Sequence, residues 1–361
     1  MNPLRVLIAG GGTGGHLYPG IAVAREIVRV QPDAVVTFAG TARGIEAKAV
    51  PRERFTLDLL RSSGLKASSV QARIKGLSIL PISGVDAWRI LSRRTPDVVI
   101  GVGGYSSGPV VAAAASRGIP TLLLEQNAVP GLTYRLLARV VTSAAVTFPS
   151  TLRFFGGRGF VAGNPVRPEF FDVPAERVAG PPRVLIFGGS QGAHAINMAM
   201  VEAAPGLAAR RLPLEITHQT GERDLEAVRD AYRAAGLEAR VEAFIFDMAR
   251  EMKLADLVVC RAGATTIAEL TASARPAIFI PLPTAADDHQ RVNAEVLVTA
   301  GAGELIEQRD ATGERLADRI AALTTDDLKR REMSAAAHKL AHPDAAGAIV
   351  ERVLDLAKRA G

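Results

Sequence analysis

The chain has 361 residues, enough for two ordinary domains or one large one, and 48% of them are hydrophobic, which supports a sizeable core. Its single cysteine, Cys260, excludes an intramolecular disulfide and fits a reducing compartment. The formal net charge of +6 suits either an arginine-rich surface or attraction to polyanions, but aromatic and basic residues are not interleaved, so nucleic acid is not an expected partner.

No apolar run approaches the roughly 18 residues of a membrane span. The first five residues lack the basic and apolar regions of a signal peptide. The chain is expected in the cytosol or on a cytosolic surface.

The apolar run Leu4-Arg5-Val6-Leu7-Ile8-Ala9 reads as a strand. It leads into Gly10-Gly11-Gly12-Thr13-Gly14-Gly15-His16, then into a helical pattern with Ile21, Ala24, Ile27 and Val28 on one face. Strand, glycine loop and helix in that order make an anion cradle, because glycine lets the backbone approach a phosphate and the helix start presents N–H groups and positive dipole. His16 adds a group that titrates near neutral pH. Gly10-x-Gly12-x-x-Gly15 also fits the dinucleotide fingerprint, which wants an acid at the end of the second strand for the ribose. The second apolar run, 34–39, ends instead in Gly40-Thr41-Ala42-Arg43, and Glu46 comes too late, so NAD fits poorly.

A strand is expected at 55–60. Between Arg73 and Arg94 the apolar residues Ile74, Leu77, Ile79, Leu80, Ile82, Val85 and Trp88 stand among Arg73, Lys75, Arg89, Arg93 and Arg94. The run is interrupted by Pro81 and Ser83-Gly84. It suits a packed core element or an interfacial patch whose basic groups meet anionic headgroups. The strand 97–102 runs into Gly103-Gly104-Tyr105-Ser106-Ser107-Gly108-Pro109 and a small-residue helix, a pattern that serves tight helix–sheet packing or ligand contact. After the strand 120–124 comes Glu125-Gln126-Asn127, where Asn127 suits either sugar hydroxyls or a helix cap. A further strand is expected at 144–148.

The segment Gly156–Pro168 reads as a hinge, and a second composition break runs from Pro174 to Pro182. Then Arg183-Val184-Leu185-Ile186-Phe187 starts a new strand, followed by Gly188-Gly189-Ser190-Gln191-Gly192-Ala193 and a helical pattern with Ile196, Met200 and Val201. This repeats the opening unit and suggests two similar domains. More strands are expected at 214–218, 240–244, 256–260, 277–281 and 303–306. Strands alternating with helical patterns imply α/β layers around parallel sheets, whose ligands bind at the carboxyl ends of the strands. There Ala264 to Glu269 open a helix with small and hydroxyl residues. Glu269 is placed to accept from two vicinal hydroxyls or simply to complement the helix dipole. Asp287 to Asn293 fit no zinc spacing. In the tail, Asp344 is a plausible cap for a last helix that buries Ile349, Val350, Val353, Leu354 and Leu356.

Seven motifs in order carry a resemblance: Gly11 to His16 with Pro19-Gly20; Gly103 to Pro109; Glu125-Gln126-Asn127; Gly163-Asn164-Pro165-Val166-Arg167; Gly188 to Ala193; Arg261-x-Gly263-Ala264 to Glu269; and Asp288-His289-Gln290 to Asn293. Together the chain resembles the bacterial peptidoglycan N-acetylglucosaminyltransferases over nearly its whole length. The resemblance implies an α/β glycosyltransferase-B fold, with two Rossmann-like domains and an interdomain cleft. The first, 1–163 joined by the C-terminal helix 344–361, would bind acceptor and membrane. The second, 164–343, would bind the donor.

The implied donor is UDP-N-acetylglucosamine. The implied acceptor is undecaprenyl-pyrophosphoryl-N-acetylmuramoyl-pentapeptide, glycosylated at its 4-hydroxyl with inversion on the cytoplasmic face of the inner membrane. The implied donor contacts are Thr13, Gly14, Gly15, Asn127, Arg167, Ser190, Ile245, Ala264, Thr265, Thr266, Ile267, Ala268, Glu269 and Gln290, with Glu269 on the ribose and the Ile245 backbone on the uracil. Gly12, Gly104, Tyr105 and Ser106 would face the acceptor diphosphate, and Ile74, Leu77, Leu80 and Trp88 an anionic membrane surface. His16 is the first candidate for general base and Glu125 the second. Ser190, the amides of its loop and Arg167 would stabilise the leaving UDP. No carboxylate pair stands where a metal clamp is expected, so no obligatory metal and no cofactor is expected. Leu124 departs from a histidine that some relatives carry. A UDP-N-acetylglucosamine 2-epimerase, of the same architecture and donor, is the alternative.

Overall fold

A computed structural model describes residues 3–62, 70–172, 180–189 and 192–360; of residues 70–78, 80 and 360 it describes the backbone alone. The contacts divide the chain into two compact units, Met1–Val166 with Asp344–Gly361, and Arg167–Pro343.

Unit 1 runs β1 (Arg5–Gly10), α1 (Gly14–Val30), β2 (Val35–Gly40), α2 (Glu46–Arg52), β3 (Thr56–Leu59), α3 (Val70–Arg94), β4 (Val98–Gly103), α4 (Ser107–Ser116), β5 (Thr121–Glu125), α5 (Leu132–Leu137), β6 (Ser143–Val146) and β7 (Gly159–Val161). Its sheet has the order β3-β2-β1-β4-β5-β6-β7, and its neighbours pair in parallel. Because β1, β4 and β5 are covered on both faces, they read as unbroken apolar runs rather than alternating ones.

Unit 2 repeats the plan with β8 (Arg183–Phe187), α6 (His194–Ala209), β9 (Glu215–Gln219), α7 (Leu225–Ala235), β10 (Ala239–Glu242), α8 (Met248–Leu254), β11 (Leu257–Cys260), α9 (Ala264–Ala272), β12 (Ala277–Phe279), α10 (His289–Thr299), β13 (Gly303–Leu305), α11 (Gly313–Thr325) and α12 (Asp327–His338). Its order is β10-β9-β8-β11-β12-β13, again parallel. Cys260 is fully buried at the end of β11, and burial pushes its thiol up, so it packs as a small apolar side chain.

The last helix, α13 (Ala345–Ala360), belongs to unit 1. Its Ile349, Val350, Val353 and Leu356 enter the cluster formed by Leu17, Ile21 and Ala24 of α1 with Val6, Ile8 and Val102 of the sheet, while Leu354 packs against its edge. Burying each of these four aliphatic side chains is worth about 1.5–3 kcal/mol.

The segment Gly156–Pro168, expected as a hinge, holds β7 as an edge strand beside β6, and the division between the units at Val166 and Arg167 falls within it. One expectation needs correction: the stretch around Pro81 does not break, and α3 is one helix from Val70 to Arg94. Proline at a helix interior costs about 3 kcal/mol. Here the helix is held by burial of Ala87, Ile90 and Leu91, and by the buried Ser83 hydroxyl, 3.0 Å from the Ile79 carbonyl and close to that of Arg61. The break from Pro174 to Pro182 falls mostly outside the described residues.

Candidate active site

In each sheet the strand order reverses once, between β1 and β4 in unit 1 and between β8 and β11 in unit 2. Ligands of open α/β sheets bind beyond the carboxyl ends of the strands at such a switch point. All four loops singled out by their glycines and small residues leave these four strands.

In unit 1 the loops after β1 and β4 interlock. The Gly11 N–H donates to the Gly103 carbonyl at 3.2 Å. A Cβ on Gly104, whose φ is +79°, would lie 2.2 Å from the Gly11 oxygen, and one on Gly103 would lie 2.5 Å from His16 Nδ1. The glycines are there because one backbone, and one imidazole, occupy the space of a side chain. His16 stands in the first turn of α1, with Nδ1 3.4 Å from Gln126 Oε1. Gln126 is itself fixed, its Nε2 donating to the Val102 carbonyl at 3.1 Å. Thr13 occupies the N-cap position without a capping side-chain bond, and it is exposed. Gly14 and Gly15 begin the helix beside it.

Glu125 is buried at the end of β5. Its Oε1 accepts from the Asn127 N–H at 2.9 Å and from Asn127 Nδ2 at 3.3 Å. Burial pushes the carboxyl up to about 7, against the opposing effect of these donors. Asn127 caps no helix, since α5 begins at Leu132 with Gly131 at its N-cap. Tyr134, from α5, meets Ser107 through its hydroxyl at 3.1 Å in the buried space nearby.

Two acceptor-loop expectations change. The Gly12 N–H is engaged inside the fold, donating to Glu46 Oε2 at 2.7 Å. Ser106 is buried, so of the loop after β4 the side chain open to a ligand is that of Tyr105, which is 60% exposed beyond Gly104.

In unit 2 the loop after β8 rests on the end of β9. A Cβ on Gly192 (φ +73°) would lie 1.8 Å from the Thr220 carbonyl oxygen. Gln219 is buried and joins two segments: its Nε2 donates to the Gly189 carbonyl at 2.9 Å, and its Oε1 accepts from the Ile245 N–H at 2.7 Å. Asn197, in α6, donates to the Thr220 carbonyl and to Asp224 Oδ2, both at 2.8 Å. It also meets His218 Nε2 at 3.1 Å, and His218 Nδ1 meets the Tyr232 hydroxyl at 2.9 Å. His218 is buried and pushed down to about 3, so it is a neutral part of the scaffold. Ser190 lies outside the described residues.

After β11, α9 opens at Ala264 with Gly263 as N-cap. Ala264, Thr265, Thr266 and Glu269 keep part of their surface open, whereas the helical period turns Ile267 and Ala268 into the core, so these two offer no side chain to a ligand. Glu269 lies beyond the first turn, outside the reach of the helix dipole. Burial pushes its carboxyl up to about 7, opposed by the charge of Arg167. Arg167 is exposed, its guanidinium 5.1 Å from the Phe170 ring centroid. Gln290 Oε1 accepts from the Leu282 N–H at 3.0 Å and ties α10 to the loop after β12. Ile245 is buried with its N–H bound to Gln219, so reading a base from this backbone falls to its carbonyl.

Glu46, Gln219, Thr220 and Asn197 were not singled out by sequence reasoning. Glu46 was dismissed as a misplaced ribose ligand. The glycines at 40 and 44 that flank it were the available signal.

The α3 surface expected to meet a membrane is described only in part. The side chains of Ile74, Leu77 and Leu80 lie outside the described residues. Trp88 is 52% and Val85 49% exposed, Ile82 is exposed beside them, and the Arg117 guanidinium sits 4.8 Å over the Trp88 ring. Among the described residues no helix is long and apolar enough to cross a membrane.

Comparison with known proteins agrees with this layout. Residues 6–146 match the glycosyltransferase family 28 N-terminal domain, and residues 183–349 its C-terminal domain. The chain is 49% identical over 359 residues to the UDP-N-acetylglucosamine–N-acetylmuramyl-(pentapeptide) pyrophosphoryl-undecaprenol N-acetylglucosamine transferase of Anaeromyxobacter sp. (strain K), covering 99% of this chain and 94% of that one. The crystal structure of Acinetobacter baumannii MurG superposes with a TM-score of 0.82 at 33% identity, over 98% of this chain and all of that one. A Neisseria meningitidis UDP-GlcNAc 2-epimerase bound to UDP-GlcNAc gives a TM-score of 0.69 over 98% of this chain and all of that one, but at 13% identity it shares the fold alone. The chain belongs to glycosyltransferase family 28, with the glycosyltransferase-B fold, and within that family to the MurG N-acetylglucosaminyltransferases.

Proposed function

We infer that the chain transfers N-acetylglucosamine from UDP-N-acetylglucosamine to the 4-hydroxyl of the N-acetylmuramoyl residue in undecaprenyl-pyrophosphoryl-N-acetylmuramoyl-pentapeptide, the step from lipid I to lipid II in peptidoglycan synthesis. The observation that carries this is the 49% identity, over 99% of the chain, to a transferase named for that reaction.

Transfer with inversion is one displacement. The acceptor oxygen forms a bond to the anomeric carbon as the bond from that carbon to the diphosphate oxygen breaks, and UDP leaves with the electron pair. His16 takes the hydroxyl proton, supported by its place in the first turn of α1 and its contact with Gln126. Glu125 orients Asn127 toward a sugar, supported by the two bonds it accepts. On the donor side Glu269 holds the ribose hydroxyls. Arg167, the amides of the loop after β8 and Ser190 stabilise the departing diphosphate. Thr13, Gly14 and Gly15 meet the donor sugar, and the Ile245 carbonyl meets the uracil. Thr265, Thr266 and Gln290 complete the donor contacts.

The enzyme works as a peripheral protein on the cytoplasmic face of the membrane. Support comes from the exposed Ile82, Val85 and Trp88 with Arg89 on α3, and from exposed Leu132, Leu136 and Val140 with Arg135 and Arg139 around α5.

The test offers UDP-N-acetylglucosamine with and without a soluble lipid-linked muramoyl-pentapeptide analogue. UDP release that depends on the acceptor is expected. UDP release with no acceptor, accompanied by an epimerised sugar, would overturn the reading in favour of an epimerase.

A further inference from the structure

Glu46 is a buried carboxylate on the first turn of α2 that no catalytic role uses. Its Oε2 accepts from the Gly12 N–H at 2.7 Å, and its Oε1 accepts from the Thr41 N–H and hydroxyl, each at 2.8 Å. Three glycines from three segments make room for it. A Cβ would lie 2.4 Å from Oε2 at Gly11, 2.6 Å from Cγ at Gly40 and 2.1 Å from Oε2 at Gly44. Burial alone would raise this carboxyl, but the donors around it outweigh burial and hold it below its ordinary value.

The carboxylate thus binds the loop after β1 from within the fold. Gly11, beside the braced Gly12, donates to Gly103, and Gly103 lies directly under His16. A chain of close contacts runs from Glu46 through Gly12 and Gly11 to Gly103 and the imidazole. The same negative charge at the foot of the loop disfavours a second anion there, as does the engaged Gly12 amide.

We propose that Glu46 is a positioning residue for the acceptor half-reaction: its carboxylate fixes the Gly10–Gly15 loop, and through that loop and Gly103 it sets the place of His16. This rests on the reading of His16 as the base for the acceptor hydroxyl. Glu46→Gln keeps the shape but turns an NH2 group toward N–H and O–H donors. Glu46→Asp keeps the charge on a stem one methylene shorter.

The experiment uses the full chain and measures three quantities in wild type, E46Q and E46D. These are kcat/KM for the acceptor analogue, UDP-N-acetylglucosamine affinity by calorimetry, and the ring resonances of labelled histidines by NMR. In E46Q, kcat/KM for acceptor is expected to fall about 10–100-fold, the effect of displacing a catalytic group by a fraction of an ångström to about 1 Å. Donor affinity falls by much less than acceptor kcat/KM, because only Thr13, Gly14 and Gly15 of the donor contacts lie on this loop, while the Glu269 and Gln219 segments belong to the other unit. The His16 ring resonances move while those of exposed His338 stay in place, and E46D recovers part of the loss. Unchanged His16 resonances, or donor affinity falling in parallel with acceptor turnover, would overturn the proposal. If wild type shows no acceptor-dependent turnover, the functional reading fails and the His16 resonances still decide the role of Glu46.

Discussion

Glu125 Oε1 accepts two hydrogen bonds from Asn127, at 2.9 Å from the backbone N–H and 3.3 Å from Nδ2. One carboxylate oxygen therefore fixes both the backbone and the amide plane of the residue two places on. Glutamine can accept the same bonds. E125Q should thus retain kcat within about tenfold, whereas loss of a true general base costs about 10²–10⁴-fold. Steady-state rates with saturating acceptor decide between a positioning group and a base.

The same residue makes a stability prediction. Its folded carboxyl titrates at about 7, above the ordinary 4.5. Between these values the folded state holds a proton that the unfolded state has released, so stability falls as pH rises through that window. By pH 8 the loss reaches up to about 3 kcal/mol. E125Q removes this contribution. Urea midpoints for E125Q should exceed those of wild type at pH 8 and converge with them near pH 4.5. Parallel curves for the two proteins would mean that burial does not raise this group.

Glu269 carries a similar shift with a consequence for binding. At about 7 its carboxyl is half protonated at neutral pH, and only the ionised form accepts hydrogen bonds from both ribose hydroxyls. Affinity for UDP-N-acetylglucosamine should therefore rise roughly tenfold from pH 6 to pH 8, with proton release on binding. E269Q should bind more weakly at pH 8 and show no such rise. Calorimetry in buffers of different ionisation enthalpy measures both effects. A pH-independent wild-type affinity would remove Glu269 from the ribose.

Much of this layout was legible because it is written in local pattern. Apolar runs ending in glycine loops mark β1, β4 and β8 with their following helices, and the repeat at Arg183 marks the second sheet. What was not legible depends on distant partners. Glu46 reaches Gly12 across 34 residues and Gln219 reaches Ile245 across 26, so neither has a sequence signature of its own. Pro81 misled for a related reason: local propensity breaks a helix there, while Ser83, Ala87, Ile90 and Leu91 are packed by the rest of unit 1. Ile267 and Ala268 lie inside a stretch that the resemblance implies as a whole, but helical geometry turns these two into the core and leaves Ala264, Thr265, Thr266 and Glu269 partly at the surface.

The exposed face of α3 gives a lipid prediction. Wild type should co-sediment with vesicles containing anionic phospholipid and much less with neutral ones, and the binding should weaken with salt. Trp88→Ser with Val85→Ser removes half-exposed apolar surface and the ring under the Arg117 guanidinium, so folding should change little while vesicle binding drops several-fold. Binding that ignores both lipid charge and these substitutions would place the membrane contact elsewhere.

Gln219 gives the sharpest donor-side prediction. Its side chain ties the loop after β8, through Gly189, to the segment at Ile245, and it does so with both ends of a buried amide. Q219A leaves the Gly189 carbonyl and the Ile245 N–H without this partner and opens space between two segments assigned to diphosphate and uracil. Removing one partner from buried polar groups costs about 1–3 kcal/mol each. Part of that should appear as lost stability and part as looser donor binding. KM for UDP-N-acetylglucosamine should rise about tenfold or more, while KM for the acceptor analogue stays the same. Q219E separates the two ends, since its carboxylate still accepts from Ile245 but meets the Gly189 carbonyl oxygen with a like partial charge. It should therefore weaken donor binding at least as much as Q219A above the pKa of the new carboxyl, and less below it. Equal changes in donor and acceptor KM would show that Gln219 supports the fold generally rather than the donor site.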